Sequence, residues 1–390
     1  MQTLNMIKSA VSLSGFCLLI LSYAIVLNPV SALEDCDFPA IFNLGDSNSD
    51  TGTLAAAFNW TPPPYGETFF HMPAGRYADG RLIIDFIAAS FGLPFLSAYL
   101  NSLGSNYKHG ANFASAAATI APPQSIIPVG NYSPFYLDAQ YWQFMQFKHR
   151  SQIIRKIGGI FKDLVPDEEY FGKALYTFDI GQNDLGSGFL GNMSIEEVNA
   201  SVPDVVNRFT NNVKNIYKLG ARSFWIHNTG PIGCLSYILA SFPPTPPEMD
   251  AAGCAKRYNE VAQYFNHKLK ESIVQLRKDL PLAAITYVDI YSAKYSLFTE
   301  PEKYGFELPL VACCGFGGRY NYQSLSCGST ITVNGSKIFV GSCKDPSIRV
   351  NWDGVHYTEA ANKVVFDKIS TGAFSDPPIP PRLACHKKLD

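Results

Sequence analysis

Charge is scarce in this chain, and neither sign dominates. Asp, Glu, Lys and Arg make up 16% of 390 residues, with 31 basic against 33 acidic side chains and a formal net charge of −2. A nucleic-acid binder needs a basic footprint, and there is none. Disorder is excluded by the same shortage, because the few charges accompany 27 Phe and 21 Tyr, ample to bury a core. Neither Cys-x-x-Cys nor His-Glu-x-x-His occurs, which removes the usual zinc patterns, and a Walker loop is also missing. No cofactor or metal is therefore expected. The Gly-x-Ser-x-Gly elbow of common α/β-hydrolases is missing too. Beyond residue 33 no apolar run approaches the ~18 residues that span a bilayer, so stable membrane insertion is not expected.

What is present begins with a leader. Lys8 precedes an uncharged stretch, Phe16 to Leu27 is its apolar centre, and Val30-Ser31-Ala32 offers small residues for cleavage. Residues 1–32 are read as a secretory signal and 33–390 as one domain with long loops and an irregular C-terminal tail. Secretion implies the extracellular space or cell wall, with the vacuole as the alternative end point. Cys17 leaves with the leader, and Cys36, Cys234, Cys254, Cys313, Cys314, Cys327, Cys343 and Cys385 remain. An even number in an oxidising compartment points to disulfides, with Cys234–Cys254 the expected local pair. Five Asn-x-Ser/Thr sequons, at Asn59, Asn131, Asn192, Asn199 and Asn334, are candidate glycan acceptors.

Along the mature chain, short apolar runs alternate with helical patterns. Strands are expected at Ala40–Leu44, Ala174–Phe178, Ser223–Ile226 and Ala283–Val288. Helices are expected at Arg81–Ser90 with Asp79 as cap, at Leu137–Ile157, from Ser194 to Leu219, around Met249–Arg277, and at Thr358–Ile369. The Ser194–Glu197 segment has capping-box spacing. The alternation implies an α/β fold with a parallel sheet covered on both faces.

Four segments carry possible chemistry. Phe42 to Gly52 runs an apolar strand into a small polar turn holding Ser47, at the end of the sheet where substrates bind. Ser47, Ser49 and Asp50 could equally cap the next helix. Asp353 stands three residues before His356, a spacing that lets a carboxylate fix an imidazole tautomer while the other ring nitrogen takes a serine proton. An oxyanion needs donors, and Gly110 and Asn183 stand in segments that could supply them. Alone, each pattern has an ordinary structural explanation: a surface ion pair, a glycine turn, an Asx turn.

Together they resemble the plant GDSL-type esterase/lipases of the SGNH hydrolase superfamily. The family's blocks occur in order as Gly45-Asp46-Ser47, Gly110, Gly181-Gln182-Asn183-Asp184 and Asp353-Gly354-Val355-His356, with supporting matches at Pro64-Tyr65-Gly66 and Cys313-Cys314-Gly315. The resemblance implies a three-layer α/β/α, flavodoxin-like sheet and a serine esterase acting on a carboxylic ester of a metabolite, lipid or polysaccharide. By it Ser47 is nucleophile, His356 base and Asp353 its orienter, while Ser47, Gly110 and Asn183 form the oxyanion hole. The expected partner is a small-molecule ester, and oligomeric state stays undetermined. Two other outcomes fit the same residues: an acyltransferase moving a phenolic acyl group to an alcohol, and a non-catalytic secreted glycoprotein. Thr53 departs from the family, which often has Gly there.

Overall fold

The computed structural model describes residues 35–58 and 61–386; the leader, Cys17 and Asn59 lie outside them. Short apolar runs form β1 (Ile41–Gly45), β2 (Gly110–Asn112), β3 (Leu175–Asp179), β4 (Ser223–His227) and β5 (Ala284–Val288). They pair in parallel in the order β2-β1-β3-β4-β5. β1 through β4 are buried at every position, as expected for strands covered on both faces. A separate hairpin joins β6 (Thr330–Val333) to β7 (Ser336–Phe339), and β8 (Ser375–Asp376) closes the main sheet antiparallel to β5.

The helices are α1 (Thr53–Ala57), α2 (Ile83–Ser90), α3 (Leu137–Ile157), α4 (Tyr170–Lys173), α5 (Gln182–Leu190), α6 (Ile195–Lys218), α7 (Ser236–Ser241), α8 (Lys256–Asp279), α9 (Ile290–Thr299) and α10 (Glu359–Ile369). α3 packs on α6 and α6 on α8, whereas α2 packs on α10 and α10 on α9. The sheet thus lies between two helical layers. Phe42 of β1 anchors the core, stacked on Phe171 at 5.1 Å and edge-on to Phe144 at 5.3 Å.

α3 has the expected bounds, but its packing is carried by Phe144 and Phe147, while Ile157 is 78% exposed. α6 opens on the expected box: Glu197 N–H donates to Ser194 Oγ at 3.2 Å, and Ser194 N–H to Glu197 Oε2 at 2.7 Å. Two expectations are corrected. The long helix begins at Lys256, because Ala252 and Cys254 donate their N–H to the Asp250 carboxylate in a tight turn. Asp79 does not cap α2. It accepts the Glu359 N–H at the start of α10, and Asp85 takes the Leu82 N–H instead.

Disulfides link Cys36–Cys385, Cys234–Cys254, Cys313–Cys343 and Cys314–Cys327. The first ties the Pro-rich tail to the start of the domain. The last two gather around Tyr65 and Trp352 in a small core of their own.

Candidate active site

In an open parallel sheet the binding crevice lies beyond the carboxyl ends of the strands, where the order reverses. Here that point is between β1 and β3. Ser47 stands two residues past the end of β1, and Asn183 opens the second position of α5 just past β3. The turn after β1 is held from several sides. Asp46 N–H donates to Asp179 O at 2.9 Å, Asn48 donates its N–H and side-chain amide to Asp46 Oδ1, and Ser115 N–H donates to Gly45 O at 3.1 Å. Gly45 is required by this closeness, since a Cβ there would lie 2.6 Å from Asp179 O. Asp50 is the capping residue: it accepts the N–H of Gly52, Thr53 and Leu54, and of Ala116 across the loop after β2. Thr53 needs no glycine, because the positive φ falls on Gly52.

Ser47 is 4% exposed, and neither its hydroxyl nor its N–H has a partner among the described residues.

Gly110 does not stand in this crevice. It pairs with Ile41 at the opposite end of β1, and its N–H already donates to Tyr107 O at 3.0 Å. A Cβ there would overlap the Ile41 carbonyl, so the glycine serves strand pairing. The loop that does reach the site follows β2. Ala117 adopts φ +60°, and its N–H has no acceptor among the described residues. The adjacent Ala118 O accepts one Asn183 Nδ2 hydrogen at 2.9 Å, which leaves the other free. Asp184 secures the loop by accepting from Ile120 and Ala121 N–H, and burial pushes its carboxyl up to about 6. Nothing in Ala114-Ser115-Ala116-Ala117-Ala118 announces a left-handed residue. The only signal is that bulky side chains are lacking just past a strand.

Asp353 and His356 lie in a turn closed by Trp352 N–H to His356 O at 2.7 Å and Gly354 N–H to Asn351 Oδ1 at 2.9 Å. Gly354 has φ +98° and sits against the Tyr322 ring, where a side chain has no room. His356 Nδ1 is 2.7 Å from Asp353 Oδ2, and Nε2 is buried without a partner among the described residues. Tyr65 OH donates to the same Oδ2 at 2.8 Å. Burial alone would raise the Asp353 carboxyl, but His356, the Val355 N–H and Tyr65 outweigh it and hold it below its ordinary value. Nδ1 therefore carries the proton toward Asp353, leaving Nε2 as an acceptor.

The serine and histidine turns meet through a residue that sequence reasoning missed. Lys294 of α9 is 2% exposed; its Nζ lies 3.3 Å from Asn48 Oδ1 and 4.4 Å from the centre of the Tyr357 ring. It thus spans the neighbours of Ser47 and His356. No hydrogen bond joins Ser47 to His356 themselves among the described residues. Beneath this bridge, burial and the Asp179 charge push Asp46 up to about 7, while Asn48 and Lys294 act in the opposite direction. Asp179 faces His227 Nδ1 at 3.2 Å, and His227 Nε2 accepts from Trp225 Nε1–H at 3.1 Å. Nothing in the sequence marks a lysine amid Ile290–Thr299 as fully buried. Gly186, Gly188 and Gly191 have dinucleotide-loop spacing, but the first two stand inside α5, away from any strand-to-helix turn.

Of the sequons, Asn131, Asn192 and Asn334 are exposed, Asn334 in the β6–β7 turn. Asn199 lies within α6 with its Oδ1 buried.

A doubly wound sheet with a serine turn at its switch point, joined through Lys294 to a turn that pairs a carboxylate with an imidazole, is an α/β/α layout of the kind hydrolases use. The match to known proteins narrows this. The family model for GDSL-like lipase/acylhydrolases matches residues 41–369, and the chain belongs to that family. An esterase from Hevea brasiliensis is 68% identical, covering 95% of this chain and 93% of its own length. The GDSL esterase/lipase ENOD8 of Medicago truncatula is 62% identical, covering 92% of this chain and 93% of its own. Among solved structures, the lipase Lip_vut3 from a goat rumen metagenome is 11% identical with a TM-score of 0.37, covering 86% of this chain and 97% of that one. The protein is a carboxylic ester hydrolase. Its sheet is the α/β/α, flavodoxin-like one expected from the sequence, with an antiparallel edge strand added.

Proposed function

We propose that the protein is a secreted serine esterase that cleaves a small carboxylic ester through an acyl-enzyme. Ser47 Oγ attacks the carbonyl carbon and passes its proton to His356 Nε2, while Asp353 holds the imidazole and stabilises the imidazolium that forms. The oxyanion receives hydrogen bonds from Ser47 N–H, Ala117 N–H and the free Asn183 amide hydrogen. Ala117 takes the role that the family pattern suggested for Gly110. His356 then protonates the departing alcohol. Water, deprotonated by the same nitrogen, releases the acid and restores the serine. Lys294 keeps the two turns in register throughout.

The observation carrying this proposal is the buried His356, bonded to Asp353 on one side and unpartnered on the other, in a turn that Lys294 ties to the serine turn. Secretion is supported by the leader sequence and by four disulfides. An ester panel of graded acyl length, assayed with wild type and Ser47→Ala in parallel and with alcohols added, tests it. Free acid formed by wild type alone is expected. Full activity in Ser47→Ala would end the proposal, and a new ester in place of acid would shift it to acyl transfer.

A further inference from the structure

We propose that Tyr65 is a positioning residue for the base, donating its phenol proton to the carboxylate oxygen that also receives the imidazole. The inference rests on the Ser47–His356–Asp353 proposal above. Asp353 distributes its acceptor capacity evenly. Oδ1 takes the N–H of Val355 and of His356, both at 2.9 Å, and Oδ2 takes His356 Nδ1 at 2.7 Å and Tyr65 OH at 2.8 Å. Three of these donors belong to the turn that carries the carboxylate, and they move with it. Tyr65, 288 residues away in sequence, is the anchor from outside.

The anchor is itself held. Tyr65 is 4% exposed, and its ring lies 5.9 Å from those of Trp352 and Tyr77. Its N–H donates to Pro62 O at 3.1 Å and the Gly66 N–H to Ala78 O at 2.9 Å. The disulfides Cys313–Cys343 and Cys314–Cys327 pack around it, and the same segment fixes the histidine turn: Cys313 and Cys314 donate N–H to Asn351 O and Trp352 O. The phenol therefore reads the position of the Asp353 turn against a cross-linked frame.

Such a donor does two things. It stops the carboxylate from rotating away from the imidazole, and it shares the carboxylate's charge. A charge-assisted hydrogen bond in a buried site competes with the imidazolium for that charge. The other groups around the pair do not duplicate it. Tyr77, with its ring 5.5 Å from His356, and Tyr322, against Gly354, are phenols pushed up by burial, so both stay neutral. Asp50, which acts on Tyr77, has its own carboxylate occupied by four backbone N–H groups. Burial and Asp353 push the Tyr65 hydroxyl well above its ordinary value, so it remains a donor at every working pH.

The test is the kcat/KM–pH profile of the full-length enzyme on 4-nitrophenyl butyrate. Tyr65→Phe keeps the ring and deletes the donor. The acid limb is expected to move up by roughly half a pH unit, because the imidazolium gains the charge the phenol had shared. kcat should fall roughly tenfold as the pair loses its outside anchor. A tyrosine that merely fills space would leave the acid limb where it was, and an unmoved limb overturns the proposal. Should Tyr65→Phe fail to fold, 3-fluorotyrosine at position 65 provides the converse. A more acidic phenol is a stronger donor, so the limb should move down, and an unmoved limb again overturns the proposal. Asp353→Asn run beside them separates the two levels. Loss of activity there with an unmoved limb in the Tyr65 variants removes only Tyr65, whereas wild-type activity in Asp353→Asn removes the catalytic assignment beneath it.

Discussion

Asn183→Ala separates folding from chemistry, because the proposed mechanism gives one amide both tasks. One Nδ2 hydrogen donates to Ala118 O at 2.9 Å, and the other has no partner among the described residues. Losing the first removes one ordinary hydrogen bond at a half-buried site, worth about 0.5–1.5 kcal/mol of stability. For a domain of this size that lowers Tm by only a few degrees. Under the proposed mechanism, losing the second removes an oxyanion donor, which typically costs ~10²–10³ in kcat, or about 2.7–4 kcal/mol of barrier. The two losses fall on different observables. Thermal unfolding should report a small shift, and steady-state kinetics on a soluble ester a large fall in kcat with KM changed far less. Single-turnover acylation should slow by the same factor, since the oxyanion forms in that step. A kcat within about threefold of wild type, in a variant with the expected small stability loss, would refute the role assigned to this amide.

Ala117→Gly should stabilise the fold by up to about 1 kcal/mol, because an L residue at φ +60° bears a strain of about 1–2 kcal/mol that glycine escapes. Turnover should persist, as the backbone N–H is kept; a clear loss of stability on denaturant titration would contradict the left-handed backbone. Gly110→Ala should instead destabilise by at least about 2 kcal/mol through overlap with the Ile41 carbonyl. Turnover per active site, titrated with a phosphonate, should stay near wild type in whatever fraction folds. Lys294→Met should destabilise in a pH-dependent way. Asp46 already sits at about 7, above its unfolded value of 3.8, and removing the cation raises it further. A raised folded carboxyl favours the folded state while protonated and loses that contribution as pH rises through the folded value. Part of the deficit against wild type should already be present near pH 5, where Asp179 is ionised beside the lost cation, and it should grow above pH ~7 by about 1.4 kcal/mol per pH unit as Asp46 ionises in wild type but not in the variant. A deficit that does not change across pH 7 would show that Lys294 does not act on the Asp46 carboxylate.

Much of this molecule could be read before its structure, and the failures share a cause. β1, β3, β4 and β5 are short apolar runs with polar or glycine ends, and α6 announces itself through Ser194 and Glu197; such signals are local. The Asp353–His356 pair was legible for the same reason, since three residues of one turn bring them together. Gly110 was misplaced because glycine advertises backbone freedom without saying at which end of a strand it is used; only the pairing with Ile41 decides. Ala117 was invisible because an alanine with positive φ looks like any other alanine. Asp79 was misassigned because its partner, the N–H of Glu359, is 280 residues away. Lys294 and Tyr65 belong to this last class. Each acts on a residue more than two hundred positions distant, and neither type of side chain signals burial or partnership from its own neighbourhood.

The central claim is that one serine bears the acyl group. The direct measurement is peptide mapping by mass spectrometry after the native protein reacts with a fluorophosphonate. A single adduct on Ser47, formed in wild type and prevented by prior incubation with an ester substrate, is the predicted result. An adduct on another serine, or ester hydrolysis that continues undiminished after Ser47 is fully modified, would contradict the account.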